Sequence, residues 1–211
     1  MDLESLLTQI VTDDIVHAKF LNTLSLQENI GARKISANET LETTSCMVLK
    51  HAAEEHRHAF YLKKQMERLT PGGCPTYQPD YLLAPFSSKY YLNKLDLETS
   101  RYLRNTLFLE GAELKFAAYL LVTYAIELRA DLLYPIYQKV LHMEGSRVSV
   151  RSIILEEQGH LEEMIVQLKT FSPDWEHHAK HITDIENHLY GNWIKDLAIE
   201  VYALKNAREN F

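Results

Sequence analysis

The run Val48-Leu49-Lys50-His51-Ala52-Ala53-Glu54-Glu55-His56-Arg57-His58-Ala59-Phe60-Tyr61-Leu62 decides how the chain is read. Extended on both sides, Leu41, Thr44, Val48, His51, Glu55, His58, Leu62, Met66 and Leu69 recur at steps of three and four, the inward stripe of a bundle helix. Glu55 and His58 are polar where Val, Leu and Met otherwise stand. An ionised Glu turned toward a core costs several kcal/mol unless it is paired or coordinated. The exception recurs in the second half of the chain. There Val150, Ile153, Glu157, Leu161, Met164, Leu168 and Phe171 form a stripe that holds a second Glu-x-x-His pair, Glu157 and His160. Chance alone supplies about one such pair in a chain with this much Glu and His. Mid-helix position and inward phase carry the argument instead.

Working outward, six of the thirteen Gly and Pro residues fall between Pro71 and Pro85, so one long loop divides two helical halves. In the first half one helix is expected from about Leu3 to about Ile35, with Leu3, Leu7, Ile10, Leu21, Leu24 and Ile35 inward. A second is expected from Ser36-Ala37-Asn38-Glu39, whose Ser and Glu have capping-box spacing, to about Leu69. In the second half a long helix is expected from about Glu98 to Met143, bent near Pro135. Gly145-Ser146 then breaks the chain, with Ser146 as N-cap of the next helix. Ser172-Pro173-Asp174 opens a fifth, with a Ser cap, Pro at the first helical position and an acid in the first turn. No strand pattern of comparable length appears. The expected architecture is all-α, a four-helix core with one long crossover and an extra C-terminal helix, forming a single domain over residues 1–211.

Charge and composition exclude several classes. Lys and Arg number 22 against 29 Asp and Glu, a net −7, which is opposite in sign to a phosphate-binding face, so no nucleic-acid partner is expected. With 46% apolar residues the chain can bury a core. Met1-Asp2-Leu3-Glu4 has neither the basic region nor the apolar run of a signal peptide. The apolar stretch Phe116–Ile126 is interrupted by Thr123 and is too short to span a bilayer. Cys46 and Cys74 form no CxxC pair, so neither a disulfide framework nor a zinc ribbon is expected. A cytoplasmic, soluble protein without a membrane partner is the expectation.

A Glu and a His at i and i+3 point the same way and can bind one cation. Two carboxylate-bridged metals need one more Glu from each neighbouring helix. Glu28 stands 27 residues before Glu55, and Glu127 stands 30 before Glu157. Antiparallel hairpins turning near 41 and 142 bring each pair to one level, close to the two breaks read above. A small residue, Gly31 or Ala130, follows each lone Glu by three positions, as close helix approach requires.

Glu, Glu-x-x-His, Glu, Glu-x-x-His on four successive helices resembles the ferritin-like dimetal-carboxylate superfamily. Glu28-Asn-Ile-Gly-Ala-Arg33 resembles the first-helix Glu segment of rubrerythrins, and Ala53-Glu54-Glu55-His56-Arg57-His58 resembles the motif of soluble acyl-carrier-protein desaturases. The rubredoxin-type cysteines of many rubrerythrins are absent. The resemblance implies a ferritin-like bundle with Glu28, Glu55, His58, Glu127, Glu157 and His160 as ligands of two metal ions. Their hard-to-borderline donors suit iron best, with manganese next. Two divalent ions neutralise four carboxylates, so loading stabilises the fold.

By the same resemblance, a diiron oxidase or oxygenase would activate dioxygen or peroxide for a small apolar substrate, using an electron donor the sequence does not name. The alternatives are a rubrerythrin- or ferritin-type protein handling iron or peroxide, and a non-catalytic helical interaction protein whose Glu and His pairs fix register. Long helices with exposed faces leave room for a homodimer.

Other polar residues have plainer readings. Asp131, Tyr124 and His51 are expected around the ligands, orienting the imidazoles, although a core histidine with one hydrogen bond describes His51 equally well. Glu54, Glu156 and His56 lie beside the stripes, either solvated or just behind the ligands. Asp14, His17, Glu110 and Glu113 form a separate polar layer, with Asp14 ~21 Å along the helix from Glu28. His177, His181, Asp184 and His188 read as a polar surface. Their run resembles the third-helix ligand run of haem-oxygenase-like diiron enzymes, in a different spacing order. The Tyr- and Leu-rich segment Phe116–Tyr137 is core, or the lining of an apolar channel.

Overall fold

The structure, a computed structural model, describes residues 2–41 and 44–209, the side chains of residues 158, 208 and 209 excepted. Among these residues it is all-helical: α1 Leu3–Val11, α2 Asp14–Ser36, α3 Cys46–Met66, α4 Pro85–Thr106, α5 Gly111–Met143, α6 Arg151–Phe171 and α7 Trp175–Glu209, with a 3₁₀ turn at Pro79–Tyr81. No helix among them is long and apolar enough to cross a membrane. Both cysteines are free.

The expected helices exist but are cut differently. The first divides at Thr12-Asp13, because the Asp13 carboxylate accepts from the amides of Ile15 and Val16 (3.0 and 3.2 Å) and so starts α2 afresh. Ser36 does not cap the second helix. It ends α2, and the cap is Ser45, whose Oγ accepts from the Val48 amide at 3.3 Å. Leu41 and Thr44 therefore lie outside α3 and are exposed, Leu41 fully, while Glu42 and Thr43 within the expected span are outside the described residues. The helix expected from Glu98 to Met143 is two. α4 already begins at Pro85, and residues 107–110 break it from α5, which then continues through Pro135. Ser146 caps nothing helical. It holds the Val148 amide at 3.2 Å, and α6 starts at Arg151. Ser172 likewise holds the Asp174 amide at 3.2 Å, one turn before α7.

α2, α3, α6 and α5 form the four-helix core, each antiparallel to the next. Ser25 Oγ donates to the Ala59 carbonyl across α2 and α3 (2.6 Å). Lys50 reaches Glu163 (2.6 Å) and Arg57 reaches Glu156 (2.8 Å) across α3 and α6. Gln138 Oε1 on α5 accepts from the amide of Val150 at 2.8 Å. Residues 144–150 thus run back alongside α5, and α6 begins level with Gln138 rather than Met143. The expected crossover is present, but a helix makes it. Leu83 N donates to Thr23 Oγ1 (2.9 Å), and Lys34 pairs with Asp96 (2.8 Å), so α4 runs parallel to α2 and returns the chain to the far end. α7 lies against α4, where Trp193 Nε1 donates to Ser88 Oγ (2.7 Å) and stacks on Tyr91.

Two apolar clusters form, one around Phe20, Leu62, Met66, Tyr137 and Trp193, the other around Val48, Leu95, Leu103, Leu120 and Met164. Each large side chain fully buried in them contributes about 1.5–3 kcal/mol. On all four core helices the six predicted Glu and His residues, Glu28, Glu55, His58, Glu127, Glu157 and His160, fall between the two clusters.

Candidate metal centre

A polar layer inside an apolar bundle persists only if its charges are satisfied, and this one draws on four helices. The side chains of Glu55, His58, Glu127, Glu157 and His160 are buried, and Glu28 is half-buried. Glu28, Glu55, His58 and Glu157 each offer a donor atom, all within 4.8 Å of one another, and so do Glu55, Glu127, Glu157 and His160. All six residues singled out by phase and spacing are thus brought together, in two overlapping groups that share Glu55 and Glu157. Such a buried carboxylate and histidine cluster could hold a metal ion.

The imidazoles are oriented for it. His160 Nδ1 lies 3.2 Å from Glu157 Oε2, 3.5 Å from Glu127 and 3.9 Å from Glu55. His58 Nδ1 lies 3.1 Å from Glu157 Oε1 without hydrogen-bonding geometry, and it has no other partner among the described residues. Glu127 Oε2 is likewise buried and unpartnered. The outward nitrogens are occupied. His58 Nε2 bonds Glu156 at 2.8 Å, and His160 Nε2 bonds Glu54 at 2.7 Å. Each histidine is therefore held by the glutamate that precedes the ligand glutamate on the opposite helix. Arg57 spans both, bidentate to Glu156 at 2.8 Å and 3.6 Å from Glu54. Carboxylates behind histidines fix tautomer and ring orientation at metal sites.

This outer layer agrees with one of the two readings given for Glu54 and Glu156, behind the histidines, and corrects Asp131 and Tyr124. Asp131 is exposed, and Tyr124 packs edge-on against Trp175. His51 is closer to expectation, although it makes two contacts, to Tyr119 Oη (3.1 Å) and Glu163 (2.9 Å), with its ring 4.7 Å from that of His160. The signal for the true partners was the doubled glutamate: both motifs read Glu-Glu-x-x-His. Tyr134, unread at the sequence level, donates a hydrogen bond to Glu28 Oε1. Gly31 packs beside the same group, and a Cβ there would stand 3.7 Å from Glu55 Oε2, in ordinary contact.

Electrostatics follow from the crowding. Burial pushes the carboxyl groups of Glu28, Glu55 and Glu127 upward, and neighbouring carboxylates push Glu55 and Glu127 well above the usual range. Burial also opposes charge on Glu157, but its close contacts with Glu127, His160 and His58 outweigh it and hold Glu157 below the usual range. Burial would lower His58, yet its contacts with Glu157 and Glu28 raise it to about 9. Four carboxylates this close share compensating positive charge, whether as protons or as cations.

The separate polar layer does not join the centre. His17 is buried with Nε2 on Tyr137 Oη (2.7 Å), Asp14 pairs with Arg147 at the surface (2.8 Å), Glu110 precedes the first turn of α5 and Glu113 is exposed. On α7, His177, His181, Asp184 and His188 are exposed, as is His56 on α3. Glu186, missed at the sequence level, is 1% exposed and bidentate to Arg129 (2.9 and 2.7 Å). Comparisons with protein-family models, with curated proteins and with solved structures found no match to this chain.

Proposed function

We propose that this protein is a non-haem dimetal oxidoreductase of the ferritin-like kind, with iron in the site, that oxidises an organic substrate. The observation that carries the reading is the pair of four-residue groups sharing Glu55 and Glu157. Glu28, Glu55, His58 and Glu157 would hold one ion and Glu55, Glu127, Glu157 and His160 a second. The donors fit iron or manganese: four carboxylate groups, two imidazole Nδ1 atoms, and no thiolate among them. Iron(II), if bound there, would supply the electrons for reducing dioxygen or peroxide. Glu54 and Glu156 hold the imidazoles in place through Nε2, Tyr134 steadies Glu28 through its hydroxyl, and the two apolar clusters flank the carboxylates on either side. A cavity of about 340 Å³ lined by Glu28, Glu55, Glu127 and Glu157 favours substrate oxidation over iron storage, because storage needs no organic-sized pocket beside the metals.

Metal content per chain after anaerobic iron(II) loading and desalting tests this. The native chain is expected to hold close to two irons, and Glu157→Ala combined with His160→Ala at most one. Two irons in the double variant, or none in the native chain, would sink the assignment.

A further inference from the structure

The cavity beside the centre lies between α2 and α5 and is flanked by α4 and α7. About 340 Å³ is room for a small organic molecule. Its inner wall is the carboxylate layer, and most of the remainder is apolar, including Leu24, Leu92, Val122, Ile126 and Leu133. Besides Glu127 Oε2 in the carboxylate layer, two polar groups in the lining are unsatisfied. Gln27 Nε2 and Tyr190 Oη are both buried without a hydrogen-bond partner among the described residues. Buried polar atoms left unpaired cost about 1–3 kcal/mol each, and native proteins seldom leave them so. Both flank the centre: Gln27 adjoins Glu28, and the Tyr190 ring lies 3.8 Å beneath the guanidinium of Arg129, two residues beyond Glu127.

The cations inside the lining are already paired. Arg129 is bidentate to Glu186, Lys34 pairs with Asp96, and Lys115 is exposed. An anionic ligand would find no uncommitted buried cation and would face the carboxylates. We propose that the cavity binds a neutral, mostly apolar organic molecule whose hydroxyl or carbonyl oxygens pair with Gln27 and Tyr190. This rests on the dimetal reading for its role as substrate, though not for its binding.

Calorimetric titration of the full chain, iron-loaded and again after chelation, separates the possibilities. The probes are 4-propylphenol, propylbenzene and 4-propylbenzoate. 4-Propylphenol is expected to bind one per chain and at least tenfold tighter than 4-propylbenzoate. Gln27→Leu and Tyr190→Phe should each weaken 4-propylphenol about five- to tenfold and leave propylbenzene unchanged. If one variant fails to fold, the other still decides. Tighter 4-propylbenzoate, insensitivity to both variants, or no binding of any probe overturns the proposal. Iron content of the same samples keeps the readings apart. Two irons without probe binding overturn only the pocket, whereas probe binding in a chain that takes up no iron overturns only the dimetal centre.

Discussion

At the scale of single residues, the inward phase of a polar side chain does not by itself make it a ligand. His17 and Glu55 are both buried on the inner face of a helix. His17 meets one tyrosine hydroxyl and apolar neighbours, with Nδ1 unpartnered, whereas Glu55 meets three carboxylates and two imidazoles. Burial holds the His17 imidazole down at about 4. The unfolded chain takes up this proton near 6.5 and the folded chain only near 4, so the unfolded state binds more protons between those values. The contribution of His17 to stability is therefore fully present above pH 6.5 and is lost as pH falls toward 4. Compared with His17→Gln, which keeps a partner for Tyr137 and does not titrate, the native chain should lose roughly 2–3 kcal/mol more stability between pH 7 and pH 4.5. Urea unfolding at the two pH values measures the difference, and parallel losses in both proteins would contradict it.

Elements divide where local chemistry or chain reversal forces them to. The Asp13 cap splitting α1 from α2 was legible in Thr12-Asp13-Asp14, because short acids compete with helix continuation. The break at 107–110 was not, since Leu107-Phe108-Leu109-Glu110 contains good helix formers, and only Gly111 hinted at it. The chain must turn there from α4, parallel to α2, into α5, antiparallel to it. The turn places Phe108 at φ +54° and Gly111 at φ +57°. For an L-residue with a side chain this conformation costs about 1–2 kcal/mol, and Phe108, 82% exposed, recovers little by burial. Phe108→Gly should raise stability by about 0.5–1 kcal/mol, after allowing for the extra freedom glycine gives the unfolded chain. A higher urea midpoint at unchanged slope would show it, and a lower midpoint would mean the exposed ring makes a contact that matters.

For the whole molecule, the polar layer between two apolar clusters makes stability depend on what neutralises it. Cations that bind the folded centre and not the unfolded chain stabilise by mass action, about 2.7 kcal/mol for a site at one hundred times its dissociation constant. For a chain of this length each kcal/mol shifts the melting temperature by about 2–4 °C. Chelation of the iron(II)-loaded protein should therefore lower the melting temperature by at least about 5 °C, read by circular dichroism at 222 nm. Identical melting with and without metal would favour a centre that only fixes helix register.

The sequence by itself determined the helical class, the loop at 71–85 and the six inward Glu and His residues. Those follow from periodicity, Gly and Pro placement and the cost of burying charge, all of which act within one element. The tertiary structure decided the rest. Ser45 rather than Ser36 caps α3 because α2 continues to where its own apolar face ends at Ile35, and α4 became the crossover because the chain had to return along the bundle. The reciprocal hold of Glu54 on His160 and of Glu156 on His58 exists only once α3 and α6 lie antiparallel at one register. So does the cavity, which is space left between helices and belongs to no single stretch of the chain.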